Sequence, residues 1–215
     1  MNPSPRAEYN IQGAHPFRLV VCFGSIVDFY YPTNPVRSAI VNAANNRCLG
    51  GGGVDGAISI AGGPDLLSDR TALPYFDIKK TQVRCLTGDA VITGPNTYGQ
   101  LRTPYVIHAV GPNYNRSKYI NNEAKGDAAL ERAYAAAMRK ASEMGVEAVA
   151  FSLLSAGSFR GKNRTIHEVL KIAITTIYNC GYAGLREVHL CGYSGNDFIS
   201  LIEVARDLGL TRETG

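Results

Sequence analysis

The pattern of apolar and polar positions divides the chain into short runs of period two and longer runs of period three to four. Phe17-Arg-Leu-Val-Val-Cys-Phe23 and Ser38-Ala-Ile-Val-Asn-Ala43 predict a strand pair early in the chain, separated by the prolines of Tyr30-Tyr-Pro-Thr-Asn-Pro35. Small and apolar residues at 54–61 predict a short buried helix, extended by 64–70 after a break at Gly62-Gly63. Two strands follow at 89–93 and 105–110. Apolar residues then recur at helical spacing over 123–144 (Leu130, Ala133, Tyr134, Ala137, Met138, Ala141) and stop at Gly145, a helix-capping glycine. Residues 147–154 read as a strand buried on both faces, 165–178 as an amphipathic helix, 187–191 as a last strand and 197–208 as a last helix. Strands alternating with helices imply a three-layer α/β/α sandwich with a mixed, largely parallel central sheet. The expected organisation is one domain over 15–210, a disordered segment at 1–14 and a tail at 211–215.

Composition narrows the class. With 215 residues, 45% of them hydrophobic, the chain suits one full-sized core. The net charge of +4 favours anionic partners, yet the 22 basic residues form no run, so a small phosphate-bearing ligand fits as well as RNA. Five cysteines without a Cys-x-x-Cys pair exclude a disulfide framework and a structural zinc site. A soluble monomer in a reducing compartment, intracellular and either cytoplasmic or nuclear, is the expectation. No apolar stretch approaches the ~18 residues of a membrane helix, no secretory signal is recognisable, and no metal or cofactor is called for.

The chemistry concentrates after the second strand. Asn42-Ala-Ala-Asn-Asn-Arg-Cys-Leu-Gly-Gly-Gly-Gly-Val-Asp-Gly56 leads from a strand into a helix, with glycines that bare the backbone before a helix N-terminus. Such N–H groups bind phosphate. Gly51-x-Gly53-x-x-Gly56 satisfies a dinucleotide fingerprint only formally, because Asn42 to Cys48 intervene after the strand, and no Walker sequence is present. A second loop, Ser155-Ala-Gly-Ser-Phe-Arg-Gly161, also follows a buried strand. In a parallel sheet both loops emerge at strand C-terminal ends, and two facing phosphate loops imply a pyrophosphate.

Ile40-Val-Asn-Ala-Ala-Asn45, Gly50-Gly-Gly-Gly-Val-Asp-Gly-Ala-Ile58, Val106-Ile-His-Ala-Val-Gly-Pro112 and Leu154-Ser-Ala-Gly-Ser-Phe-Arg-Gly161 together resemble the macrodomain family, and within it the MacroD-type ADP-ribosyl hydrolases. The likeness runs from about Phe17 to Leu208. It implies the macrodomain fold and ADP-ribose or O-acetyl-ADP-ribose as ligand. Carried over by motif, Asn45 meets the distal ribose, Gly52, Gly53 and Val54 hold one side of the diphosphate with Gly51 in the same ligand-binding loop, and Ser155, Ala156, Gly157 and Ser158 hold the other. Phe159 lies beside the distal ribose, Tyr193 stacks on adenine, and Asn42, Ser25 and Ile26 complete the ligand-binding set. Asp55, with Asn45, is the implied catalytic group, positioning water against the linkage to the ribose.

Two departures from the family stand out. Ser59 occupies the place of a histidine one helical turn after Asp55, and Ser25 the place of an aspartate that accepts from adenine. A hydroxyl lacks the acid-base capacity of imidazole near neutral pH. Restoring histidine at 59 is therefore expected to raise turnover if imidazole is limiting, and Asn196 or Asp28 to substitute at adenine. The expected activity is hydrolysis of ADP-ribosyl esters, on mono-ADP-ribosylated protein carboxylates and on O-acetyl-ADP-ribose. A non-catalytic ADP-ribose reader is the alternative, and an RNA-binding domain using Tyr114 and Tyr119 beside Arg116 and Lys118 a remote one. His108 reads as a satisfied core histidine and Cys48 as a small apolar filler, while Arg47, Arg160, Lys162 and Arg164 form a candidate basic rim.

Overall fold

Alternate residues of each inner strand point to opposite sides of one seven-stranded sheet, and this alternation builds two cores. The computed structural model describes residues 5–76, 82–120 and 122–213. Its strands are β1 (Arg6–Ile11), β2 (Phe17–Phe23), β3 (Ser38–Ala43), β4 (Asp89–Thr93), β5 (Tyr105–Val110), β6 (Ala148–Ser152) and β7 (Glu187–Gly192). They lie in the order β1-β2-β7-β6-β3-β5-β4, with the five inner strands parallel and the two edge strands antiparallel. The two early strands are thus not partners, as expected from their proximity in sequence, because β7 and β6 lie between β2 and β3.

Helices α2 (Glu123–Glu143), α3 (Ile166–Asn179) and α4 (Gly195–Asp207) cover one face, against Leu19, Val41, Ile107, Phe151 and Leu190. Helix α1 (Gly53–Ala72) covers the other, over Ile40, Val106 and Ala150. Between the layers, β6 is buried along its whole length, as its unbroken apolar run predicts. Both α3 and α4 begin with reciprocal capping boxes, Thr165 with Glu168 and Ser194 with Asp197, which fix their first turns at the loops after the sheet.

The expected break in α1 is a kink. Gly63 adopts φ 64° and ψ −158°, a conformation natural to glycine, and Pro64 starts the second segment, where its missing N–H costs nothing. The chain therefore turns back on itself.

The expectation of a disordered segment at 1–14 is corrected at 6–11. Ala7, Tyr9 and Ile11 are buried while Arg6, Glu8 and Asn10 face out, a period-two strand masked in the sequence by its polar half and by two prolines nearby. The tail docks on it: Tyr9 bridges Arg212, and the Glu213 N–H donates to the Glu8 carbonyl at 2.8 Å, covering part of an exposed edge. Residues 1–4 and 214–215 of the terminal expectations lie outside the described residues.

Tyr134 links a helix to the loop beyond β6. Its ring packs on Phe151 and its buried hydroxyl accepts from the Leu154 N–H at 3.0 Å. Tyr134→Phe should leave that N–H without a partner and cost about 1–3 kcal/mol. The check is urea unfolding, with a lower midpoint at unchanged slope.

Candidate functional site

The loops after β2, β3, β5, β6 and β7 meet at the C-terminal ends of the parallel strands, where open α/β sheets bind ligands. Two adjoining cavities open there. The upper one, about 390 Å³, is lined by Ser25, Ile26, Ala57, Cys191, Tyr193 and Asp197 among others. The lower one, about 370 Å³, is lined by Asn45, Gly51, Gly52, Asp55, Gly111, Ser155, Ser158 and Phe159. Gly53, Val54, Leu153 and Gly157 border both, so the cavities form one cleft with a waist. The glycine loop supplies one side of the waist and the loop after β6 the other.

Both sides present backbone. Gly52 caps α1 without a side chain, so the N–H groups of the first turn are not taken by a capping oxygen. Glycine at 56 is required for the approach itself, since a Cβ there would stand 2.7 Å from the Gly51 carbonyl oxygen. Opposite, Ser155 sits at φ 56° and donates its hydroxyl to the Pro112 carbonyl at 2.7 Å. Asn115 and the Tyr114 N–H donate to the Ser158 and Phe159 carbonyls, both at 2.8 Å. These bonds fix the loop backbone, with the Pro112, Ser158 and Phe159 carbonyls each taken up by a donor within the protein.

Asp55 is buried at the floor of the lower cavity beside Asn42, Asn45, Ser59 and Arg70. Its Oδ1 accepts from the Asn42 amide at 2.8 Å and from the Arg70 guanidinium. The other oxygen, Oδ2, receives a long 3.4 Å contact from Asn45, and Asp55 itself lines the lower cavity. Ser59 donates to the Asp55 carbonyl at 2.7 Å and accepts from Arg70 Nη1 at 2.6 Å, so its one proton is committed to the helix backbone. Arg70 is 1% exposed. An unbroken helix would put fifteen residues, about 22 Å, between Asp55 and Arg70. The kink at Gly63 is what lets them touch.

Every residue expected at the site borders the cleft except Asn42. It is fully buried, and its amide orients Asp55 and meets His108 Nδ1 at 3.2 Å, because strand alternation turns position 42 under α1. Asn42 therefore braces the carboxylate from beneath and does not line the cleft. Asn45 lines the lower cavity, but its amide already bonds the Gly50 carbonyl and the Arg47 N–H, which shapes the loop. Asp197, and neither Asn196 nor Asp28, reaches the upper wall. Of the site residues not assigned a role from the sequence, Ala57 and Gly111 lie within the motifs that carry the family resemblance and Asp197 is the N3 residue of a capping box, whereas Arg70, Leu153 and Cys191 carry no local signal.

Other expectations divide. His108 is a core histidine with partners on both ring nitrogens, Asn42 at Nδ1 and Thr93 at 3.1 Å from Nε2. Cys48 is a buried filler beside Ala44, Cys85 and Val110. Of the proposed rim, Arg164 is engaged by Asp127 and Glu168, and Arg160 by the Arg164 carbonyl. Tyr114 and Tyr119 are buried and offer no stacking platform. No cluster of His, Cys, Asp or Glu suited to a metal occurs among the described residues, and no helix of theirs is long and apolar enough to cross a membrane.

The Macro domain family model matches residues 41–170. The chain is 43% identical over 127 residues to O-acetyl-ADP-ribose deacetylase 1 of Pantoea vagans, covering 59% of this chain and 67% of that protein. A macro domain-containing protein of Caldanaerobacter subterraneus subsp. tengcongensis is 38% identical over 162 residues, covering 74% and 83%. Among solved structures, the Oceanobacillus iheyensis macrodomain with ADP superposes with a TM-score of 0.78 at 27% identity, covering 96% of this chain and 98% of that one.

Burial drives the His108 pKa well below 6.5, with the Arg70 charge adding to it. The unfolded chain takes up a proton near pH 6.5 that the folded chain refuses, so this group's contribution is intact above that pH and lost below it, by up to about 1.4 kcal/mol per pH unit. His189 acts oppositely: burial opposes its charge, but bonds to Cys22 and Glu187 raise its pKa, so its contribution is full below pH 6.5 and fades as pH rises. Unfolding midpoints between pH 6.5 and 5 should therefore fall in wild type and flatten in His108→Gln. Separately, Arg70→Ala strands a buried carboxylate and should cost about 3–5 kcal/mol. Ser59→His should also destabilise and leave turnover no higher, contrary to the sequence expectation: Ser59 Oγ lies only 3.0 Å from where a Gly50 Cβ would stand, and Arg70 fills the remaining side. Thermal melts and turnover of both variants check this pair.

Proposed function

We propose that this chain, which belongs to the Macro domain family, binds ADP-ribose across the cleft and hydrolyses esters on its distal ribose. The observation that carries the reading is a backbone-lined waist with Asp55 at one end and an apolar cavity at the other. A diphosphate at the waist meets amides from both loops, which bind anions without a lysine. Adenine takes the upper cavity against Ile26 and Tyr193, with the Asp197 carboxylate as an acceptor for its amino group where Ser25 replaces the family's aspartate. The distal ribose takes the lower cavity, between Asn45, Gly111 and Phe159.

In that pose Asp55 Oδ2 holds a water against the ester carbonyl. Arg70 and Asn42 fix the carboxylate through Oδ1, so the water-binding oxygen is oriented before substrate arrives. Attack forms a tetrahedral centre, and its collapse releases the ribose hydroxyl, which takes up the proton, and the acid. O-acetyl-ADP-ribose and mono-ADP-ribosylated protein carboxylates share this ester and are the proposed substrates. The name of the Pantoea relative supports the first. Five free cysteines favour an intracellular, reducing setting.

A second reading rests on one observation: Ser59 is bound on both sides and the Asp55 charge is matched by Arg70, an arrangement a reader without catalysis also tolerates. Asp55→Asn separates the two. For the enzyme, release of acetate or of protein-linked ADP-ribose should drop by about 10²–10⁴-fold while ADP-ribose affinity by calorimetry stays within a few-fold. No release by wild type, with binding retained, leaves the reader. Absence of binding sinks both.

A further inference from the structure

The ester chemistry leaves unused a second cluster of reactive groups at the ends of β2 and β7. Cys22 and Cys191 are register partners on these neighbouring strands, and their Sγ atoms lie 3.3 Å apart. On the same face of β7, His189 Nε2 stands 2.8 Å from Glu187 Oε2, and Glu187 is held by Arg18 at 3.0 Å. The Phe29 ring closes edge-on over the imidazole at 4.9 Å. Glu187, His189 and Cys191 thus line one strand face, with Cys22 beside Cys191 on the neighbouring strand. Cys22 remains partly exposed, whereas Cys191 is buried and lines the upper cavity with Ser25, Ile26 and Tyr193.

We infer that Cys22 and Cys191 form a peroxide-sensitive dithiol whose closure to a disulfide reshapes the wall of the upper cavity. Donation from the Cys191 thiol draws the Cys22 pKa down, burial resists, and His189 adds to the lowering; the same bond and burial push Cys191 up. Cys22, the more exposed of the two, is the thiol that peroxide reaches first, and the buried Cys191 is the resolving thiol. The Cys22 thiolate attacks hydrogen peroxide, an S–O bond forms, the O–O bond breaks, and the departing hydroxide takes a proton to become water. Cys191 then attacks the sulfenic sulfur: S–S forms, S–O breaks, and the hydroxyl leaves with the thiol proton as a second water. Two thiols lose two electrons and one peroxide gains them. Thioredoxin-class reductants reverse the step, as for other intracellular sensing disulfides.

The consequence for ligand rests on the ADP-ribose reading; the chemistry does not. The full chain is treated with hydrogen peroxide, digested without reductant and mapped by mass spectrometry, with ADP-ribose calorimetry on the reduced and oxidised forms. The expected results are a Cys22–Cys191 linked peptide lost on adding dithiothreitol, a dimedone adduct on Cys22 in Cys191→Ser, and slowing by about tenfold in His189→Gln as thiolate is lost. Oxidation confined to Cys48 and Cys85, or no linked peptide where a control thiol is consumed, overturns the inference. Oxidised protein should bind ADP-ribose at least about tenfold more weakly, with Cys191→Ser indifferent to peroxide; equal affinity of both forms overturns the gating. A chain that forms the linked peptide yet never binds ADP-ribose refutes the proposed function and leaves the dithiol standing.

Discussion

The buried pair of Asp55 and Arg70 is the interaction on which the site depends. A carboxylate and a guanidinium out of water repay their desolvation only when geometry and further hydrogen bonds are favourable. Here Asn42 completes the carboxylate, and Ser59 links the guanidinium back to the Asp55 backbone. The pair in turn dictates α1: its two halves must fold toward each other, and the left-handed glycine at 63 with proline at 64 is how the chain complies. Asn42 comes from a strand and Asp55 from a helix, so the network also pins sheet to helix at the floor of the cleft.

This network accounts for serine where a histidine is usual. An imidazole at position 59 competes with Arg70 for the same space beside Gly50. Ser59 and Arg70 therefore act as a pair, and the Asp55 carboxylate is held chiefly through Oδ1. His108, two hydrogen bonds away through Asn42, extends the network into the core as a neutral group.

Much of this architecture was legible in the sequence, and what escaped did so for physical reasons. The inner strands, the kink after Ala61 and the long helix ending at Gly145 announce themselves by period and by glycine, because burial on fixed faces leaves a repeating trace. The edge strand at 6–11 carries the same trace in three residues only, too short to outweigh its polar composition. Strand order was not readable at all, since partners β2 and β7 lie more than 160 residues apart. At the site, the glycine loop and Ser155 to Phe159 were visible because backbone binding demands small residues in sequence. Arg70 was not: nothing local distinguishes a charge that turns inward from one that stays in water, and only the turn at Gly63 decides it.

The wall shared by the two cavities, Gly53, Val54, Leu153 and Gly157, ties their shapes together. Substituting Gly53 or Gly157 changes both cavities at once, because each borders both. A side chain added at Gly157 would meet no atom within 4 Å and would stand in a wall both cavities share, so one exchange there alters both ends of the cleft, whereas an exchange at Tyr193 or Asp197 alters one end and at Phe159 the other.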